Sequence, residues 1–203
     1  MAPACLEYWR QPVTFTFVMR ILTVNLKRHL TALAPLVLLC STGLADAAPQ
    51  ELLDRLKTAT EAEAPRIASE IELEWSKSGS AAMDLLLRRG RDAMEDGDFA
   101  LAIEHFTALT DHAPQFAEGF HARAEAYFRS SLYGPALDDL ETTLALNPDH
   151  YDAIFGLAVM LQEFGDLRKA AQLYRKVLAI HPNHENAREA LSRLKRDGIG
   201  REL

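Results

Sequence analysis

The sequence predicts an all-α solenoid: helix-turn-helix units stacked in a row, preceded by two further helices and closed by a cap helix. Three observations carry this reading. Prolines recur at Pro114, Pro148 and Pro182, alanines at Ala102, Ala136 and Ala170, and small residues at Gly90, Ala124 and Ala158, each column with a spacing of 34. Within a unit the apolar residues keep helical spacing, as in the stripe Ala136, Leu137, Leu140 and Leu144. Nothing along the chain reads as a strand-rich domain. A fixed period in this range marks stacked units that each bury an apolar face only against a neighbour.

The elements before the repeat come in two parts. Residues 1–47 read as an export signal. Lys27, Arg28 and His29 precede the apolar run Leu30 to Cys40, which is shorter than the roughly 20 residues of a membrane span. Ala45-Asp46-Ala47 supplies a small-x-small cleavage pattern, which places the cut after Ala47. Met19 begins a better-proportioned signal than Met1, so translation is expected to start there and residues 1–18 to lie upstream of it. Residues 48–82 then hold two helices, 51–60 with Leu52, Leu53 and Leu56, and 64–77 with Ile67, Ile71 and Trp75. They are expected to form a degenerate leading repeat or a specialised N-terminal cap. Ser80 is placed to cap the next helix.

Three units follow, 83–116, 117–150 and 151–184. The first holds Leu86, Arg89, Gly90 and Ala93, then Ala102 and Phe106, then Pro114; the second holds Phe120, Arg123, Ala124 and Tyr127, then Ala136 and Leu140, then Pro148. The third holds Ile154, Leu157, Ala158 and Leu161, then Ala170 and Tyr174, then Pro182. Each proline ends a second helix, because the residue before proline avoids the α region. Gly97-Asp98 and Gly165-Asp166 mark the turns inside units one and three, with Ser131-Leu132 the weaker equivalent in unit two. Residues 185–203 form a cap helix and tail, with Ala187, Ala190, Leu191 and Leu194 on one stripe and charge elsewhere.

These columns resemble the tetratricopeptide repeat, whose pattern is W-x2-L-G-x2-Y, then A-x3-F, then P. The departures are Arg89 and Arg123 at the Leu position and Ala93 at the Tyr position. The resemblance covers 83–184 well and 50–82 only loosely. It is to short exported bacterial members of the family, and it implies a right-handed superhelix whose first helices line a concave, partner-binding face. Ligand contacts are implied at Asp84, Leu87, Arg91 and Met94 in unit one, Glu118, His121, Glu125 and Phe128 in unit two, and Asp152, Phe155, Val159 and Gln162 in unit three. Leu87, Met94, Phe128, Phe155 and Val159 are apolar there, and exposed apolar patches mark partner surfaces. Chaperone-binding members carry a basic clamp for a peptide carboxylate. At the matching positions Leu87, Arg91, Ala122, Asp152 and Gly156, only Arg91 is basic, so a carboxyl-terminal acidic tail is not the expected ligand.

Composition narrows the function classes. A net charge of −7 is wrong for a general nucleic-acid binder, and 48% hydrophobic residues is too many for a disordered chain and too few for a polytopic membrane protein. Removing residues 1–47 leaves 18 basic and 27 acidic residues, a charge of −9, and takes both Cys5 and Cys40 with it. No disulfide framework or cysteine zinc site can then form. His181 and His184 have a metal-compatible spacing but read as surface histidines of a turn, as does His150 at the same repeat position. Asp96-Gly97-Asp98 has too few carboxylates for a calcium loop. His121 and Glu125, i and i+4, read as a solvated pair rather than an acid–base device. No nucleophile or phosphate-loop motif occurs, so neither catalysis, a metal nor a cofactor is expected.

The expected role is a non-catalytic protein-interaction scaffold of the bacterial periplasm, gripping a segment of another envelope protein. The alternatives are a homo-oligomer of stacked repeats and a regulatory subunit of an envelope enzyme.

Overall fold

A computed structural model describes residues 47–196; of the stretch expected to be an export signal only Ala47 falls within it, while Met19, both cysteines and the tail after residue 196 lie outside the described residues. Nine helices and no strands occur among them. They are α1 (Ala47–Thr58), α2 (Ala64–Trp75), α3 (Ala81–Glu95), α4 (Phe99–His112), α5 (Ala117–Arg129), α6 (Tyr133–Leu146), α7 (Tyr151–Glu163), α8 (Leu167–Ile180) and α9 (Glu185–Arg196). The pairs α3–α4, α5–α6 and α7–α8 are the three units, and α9 covers the last of them, giving an all-α solenoid.

The small-residue columns of the period-34 pattern lie in the packed interior. Ala102, Ala136, Ala158 and Ala170 are fully buried, and Ala124 nearly so. Gly90 has a stronger reason to be small: a Cβ there would overlap the Phe106 ring, itself fully buried. Leu87, Phe106 and Leu109 fill the core of unit one, and Ala124, Leu140 and Met160 knit unit two to α7. The turns inside units one and three place Gly97 and Gly165 at φ +77° and +84°. Asp98 then accepts from Leu101 N–H at 3.0 Å and Asp166 from Lys169 N–H at 3.2 Å, each capping the following helix.

The arginine at the Leu position of unit two is a structural device. Arg123 donates from Nε to Asp139 Oδ2 at 2.7 Å and from Nη2 to Oδ1 at 2.8 Å, while Nη1 reaches Thr110 Oγ1 at 2.7 Å. This planar fork ties α4, α5 and α6 together with little solvent around it, the geometry that strengthens an arginine–carboxylate pair. Arg89, its counterpart in unit one, is exposed.

The N-terminal helices correct the sequence reading. They do not stack ahead of unit one as a leading repeat. Leu53, Leu56, Ile67 and Ile71 share one core with Tyr151, Ile154, Tyr174, Val177 and Leu194 of α7, α8 and α9. Asn183 Nδ2 donates to Ala59 C=O at 2.9 Å across the same junction. The apolar stripes of α1 and α2 are buried by this junction: Leu56 and Ile71 are fully buried, and Leu53 and Ile67 nearly so. Ser80 also differs from expectation. It stands at the N-cap of α3 without a side-chain cap bond, and Asp84 Oδ1 instead accepts from Ser78 N–H at 2.9 Å.

Candidate partner-binding groove

The first helices of the units, α3, α5 and α7, form the floor of a groove, and α2 forms a wall along part of it. Two cavities result. The larger, about 690 Å³, lies between α2 and the floor and is lined by Glu72, Trp75 and Ser76 together with Asp84, Leu87, Arg91, Met94, Glu118, His121, Glu125 and Asp152. The smaller, about 340 Å³, is more apolar, with Phe128, Leu140, Phe155, Val159 and Met160 around it and His121, Glu125 and Asp152 at its rim. Those three rim residues belong to both cavities, so the groove is continuous.

Eleven of the twelve residues expected from the repeat register line this groove. The exception, Gln162, is turned to Tyr174, whose hydroxyl donates to Gln162 Oε1 at 3.1 Å. Not all eleven are free to meet a partner. Leu87 is only 2% exposed and belongs to the core of unit one, which corrects its reading as an exposed apolar contact. Phe155 lies against the rings of Tyr174 and His184, at centroid distances of 5.7 and 4.9 Å. Among the groove residues that sequence reasoning missed, Glu72, Trp75 and Ser76 lie outside the repeats, so the register carried no signal for them, while Leu140 and Met160 lie within the repeats at positions read as core or not singled out.

At the centre sits a buried ion cluster. Glu118 accepts from His150 Nε2 at 3.0 Å, faces His121 Nδ1 at 3.4 Å and pairs through its other oxygen with Arg91. Arg91 also donates to Ser76 Oγ at 3.0 Å, linking the cluster to the end of α2. Trp75 stacks on His150 with ring centroids 4.3 Å apart, and the His121 ring lies 4.4 Å from the same imidazole. His150 is 1% exposed, so it is not the surface turn residue the sequence suggested, and His181 at 9% and His184 are corrected likewise. His121 pairs with Glu118 rather than standing with Glu125 as a solvated couple.

The cluster's electrostatics follow from its geometry. Burial works to raise the Glu118 carboxyl, but His121 and His150 outweigh it and hold the group well below the usual carboxylate range. Burial opposes a charged His121, yet Glu118, with Asp152 and Glu125 behind it, raises that imidazole above its ordinary value. Burial, then the neighbouring His121, pushes His150 down. The carboxylate and two imidazoles offer atoms within 4.8 Å of one another, a spacing that could suit a metal ion. The tautomer argues for a hydrogen-bonded cluster instead. His150 Nδ1 accepts from Ala153 N–H at 3.2 Å, capping α7, so its proton lies on Nε2 and is donated to Glu118. A metal on Nε2 would force that proton to Nδ1, against the Ala153 amide.

The same device repeats one unit on. His184 Nδ1 accepts from Ala187 N–H at 3.2 Å and caps α9, while its Nε2 lies 3.8 Å from Asp152. In both cases a histidine that caps the next unit's first helix reaches back to an acid at the second position of the unit before. Unit one has Asp84 at that position but Phe116 where the histidine would stand.

Sequence signatures of the tetratricopeptide repeat match residues 87–134 and 131–194. A TPR repeat-containing protein of Rhizobium etli is 30% identical over 155 residues, 74% of this chain and 76% of its own length. The chain belongs to the tetratricopeptide-repeat family. Solved TPR structures share its fold. The first TPR domain of Spaghetti, bound to the HSP90 peptide SRMEEVD, superposes with a TM-score of 0.54 at 25% identity, covering 57% of this chain and 91% of that one. MamA matches with the same score and identity over 58% of this chain and 69% of its own. Mouse sperm-associated antigen 1 is 29% identical over 109 residues, of which this chain spans 12% of the length. TPR units are typically non-catalytic protein-interaction modules.

Proposed function

We propose that this TPR protein is a non-catalytic scaffold exported to the periplasm, where its groove grips a segment of another envelope protein. The observation that carries the reading is the smaller cavity, an apolar recess on the concave face walled by Phe128, Phe155 and Val159. Its volume and lining are those of a site that takes a partner's side chains. The fold's solved relatives support it, one of them holding a chaperone peptide. Export rests on the basic flank, apolar run and small-x-small pattern of residues 27–47. No helix among the described residues is long and apolar enough to cross a membrane.

The test is a crosslinking pull-down from envelope fractions with wild type and Phe128→Ala. Loss of the captured partner at a nearly unchanged melting temperature is the expected result; full capture by the variant would remove the groove from consideration. Phe155→Ala is the poorer probe, because it also strips packing from Tyr174. Export is tested separately by the mass of the purified N-terminus, which should begin at Ala48.

A second reading, self-association, has its own observation. Leu132, Tyr133 and Phe164 form an apolar edge at the turns of units two and three, exposed by 46%, 39% and 60%. Sedimentation at rising concentration distinguishes it: a constant monomer mass rules it out.

A further inference from the structure

We infer that the groove's partner is a cationic segment with apolar anchors, a Lys or Arg set beside two large apolar side chains, opposite in charge to the acidic tail held by the Spaghetti domain. The inference rests on the groove reading above and names the chemistry of its occupant.

The groove's charges do not balance. Of the cations around the larger cavity, Arg91 is committed to Glu118 and Ser76, Lys77 to Glu74 at 2.6 Å, and His121, raised towards its charged form, to Glu118 at 3.4 Å. Arg88 lies beside Asp84. Glu72 and Glu125 have no ion pair among the described residues, and Asp152 has only the distant His184. Glu72 stands on α2 and Asp152 and Glu125 on the floor, so acidic groups face one another across the opening. The crowding registers on Glu72, whose carboxyl is raised by partial burial and then by Asp152 and Glu118. A cation placed between these groups relieves that repulsion, and an anion adds to it.

The apolar half of the segment has its own place. The acidic rim opens directly into the recess at Phe128 and Val159. From there aromatic rings continue outward: Phe128 lies 5.7 Å from Tyr133, and Tyr133 lies 5.5 Å from Phe164. A cation over Glu72 and Glu125, one apolar side chain in the recess and a second against Tyr133 and Phe164 would satisfy the whole track.

Fluorescence anisotropy on the purified protein tests this with three labelled peptides: one with Lys-Arg followed by Leu and Phe, its counterpart with Glu-Glu for Lys-Arg, and SRMEEVD. The basic peptide should bind, weaken as salt rises, and lose about threefold to tenfold in affinity to the double variant Glu72→Gln, Glu125→Gln. Both side chains reach solvent and Gln keeps their shape, so the variant should keep the wild-type melting temperature. Equal or tighter binding of either acidic peptide, or no effect of the double variant, overturns the charge assignment. If no peptide binds while Phe128→Ala still loses its envelope partner, the charge assignment falls and the groove survives. If Phe128→Ala keeps that partner, the groove itself falls. A mass that doubles with concentration and reverts in Glu125→Gln gives the groove to a second copy, and that too overturns the proposal.

Discussion

The turn inside unit two and the turns inside units one and three have the same backbone and different residues. In all three the residue after the turn donates its N–H back to a carbonyl five residues earlier: Asp98 to Ala93 at 2.9 Å, Leu132 to Tyr127 at 2.8 Å, Asp166 to Leu161 at 2.8 Å. Units one and three use Gly at the left-handed position and Asp at the cap. Unit two puts Ser131 at φ +61° and leaves Leu132 without a cap bond. The turn's shape is therefore imposed by helix pairing across the repeat, and the residues only modulate its energy. Unit two forgoes two local stabilisers, each worth about 1 kcal/mol, and displays Leu132 and Tyr133 instead. Departures of this kind collect where a surface has a use.

The comparison can be broken most severely at the ion pair that holds unit two. Arg123→Ala leaves Asp139 buried and unpaired and should cost about 3–5 kcal/mol, read by chemical denaturation. Unit three carries Leu157 and Leu173 at the same two positions, so Arg123→Leu with Asp139→Leu should recover most of that loss. A double variant as unstable as the single one would show that the pair sets the fold of unit two rather than filling its space. In unit one, Gly90→Ala drives a methyl into Phe106 and should lower stability by about 1–3 kcal/mol; an unchanged melting curve would contradict the packing described.

Smaller effects sharpen it. Ser131→Gly and Leu132→Asp give unit two its neighbours' turn and should each add about 1 kcal/mol. If Leu132 serves a partner, Leu132→Asp should stabilise the chain and weaken capture together, and stabilisation without that loss would leave the exposed leucine unexplained. The smallest effect is that of pH. His150 and His181 are both held below 6.5 by burial first, and then by His121 and His184 respectively. Their contribution is complete above 6.5 and declines as pH falls towards their folded values. His121, raised, acts oppositely: its contribution is present below 6.5 and is lost as pH rises through its folded value. His181 stands outside the Glu118 cluster, so the wild-type melting temperature should fall more between about pH 7 and about pH 5 than that of a His181→Asn variant.

The repeat was legible because its period is written in residue types that packing demands at fixed intervals. Gly90 under Phe106 and Ala136 in its helix pair are both visible as columns. The groove positions came from the family resemblance laid over that register, which puts Glu118, Phe128 and Asp152 on one face. What escaped lies outside the period or against its rule. Trp75 belongs to no repeat, so nothing forecast that it would stack on His150. A histidine at a repeat boundary reads as a polar turn residue, and only the acid 32 positions earlier, with a neighbouring ring above it, shows why it is buried. Arg123 looked like a blemish in the motif because its partner sits on the other helix of the unit.

The docking of α1 and α2 on the last unit has a consequence for the order of assembly. A repeat array ordinarily folds from contacts between neighbours, and it can begin anywhere and spread. Here the bond between Ala59 and Asn183 spans 124 residues. Helices α1 and α2 are synthesised before the three units and have no burial site for Leu56 and Ile71 until α7, α8 and α9 follow. That closure gives a chain of otherwise local contacts a slow, late step. It also makes a molecule cut short at its C-terminus release its N-terminus, so a truncated product exposes apolar helices at both ends at once.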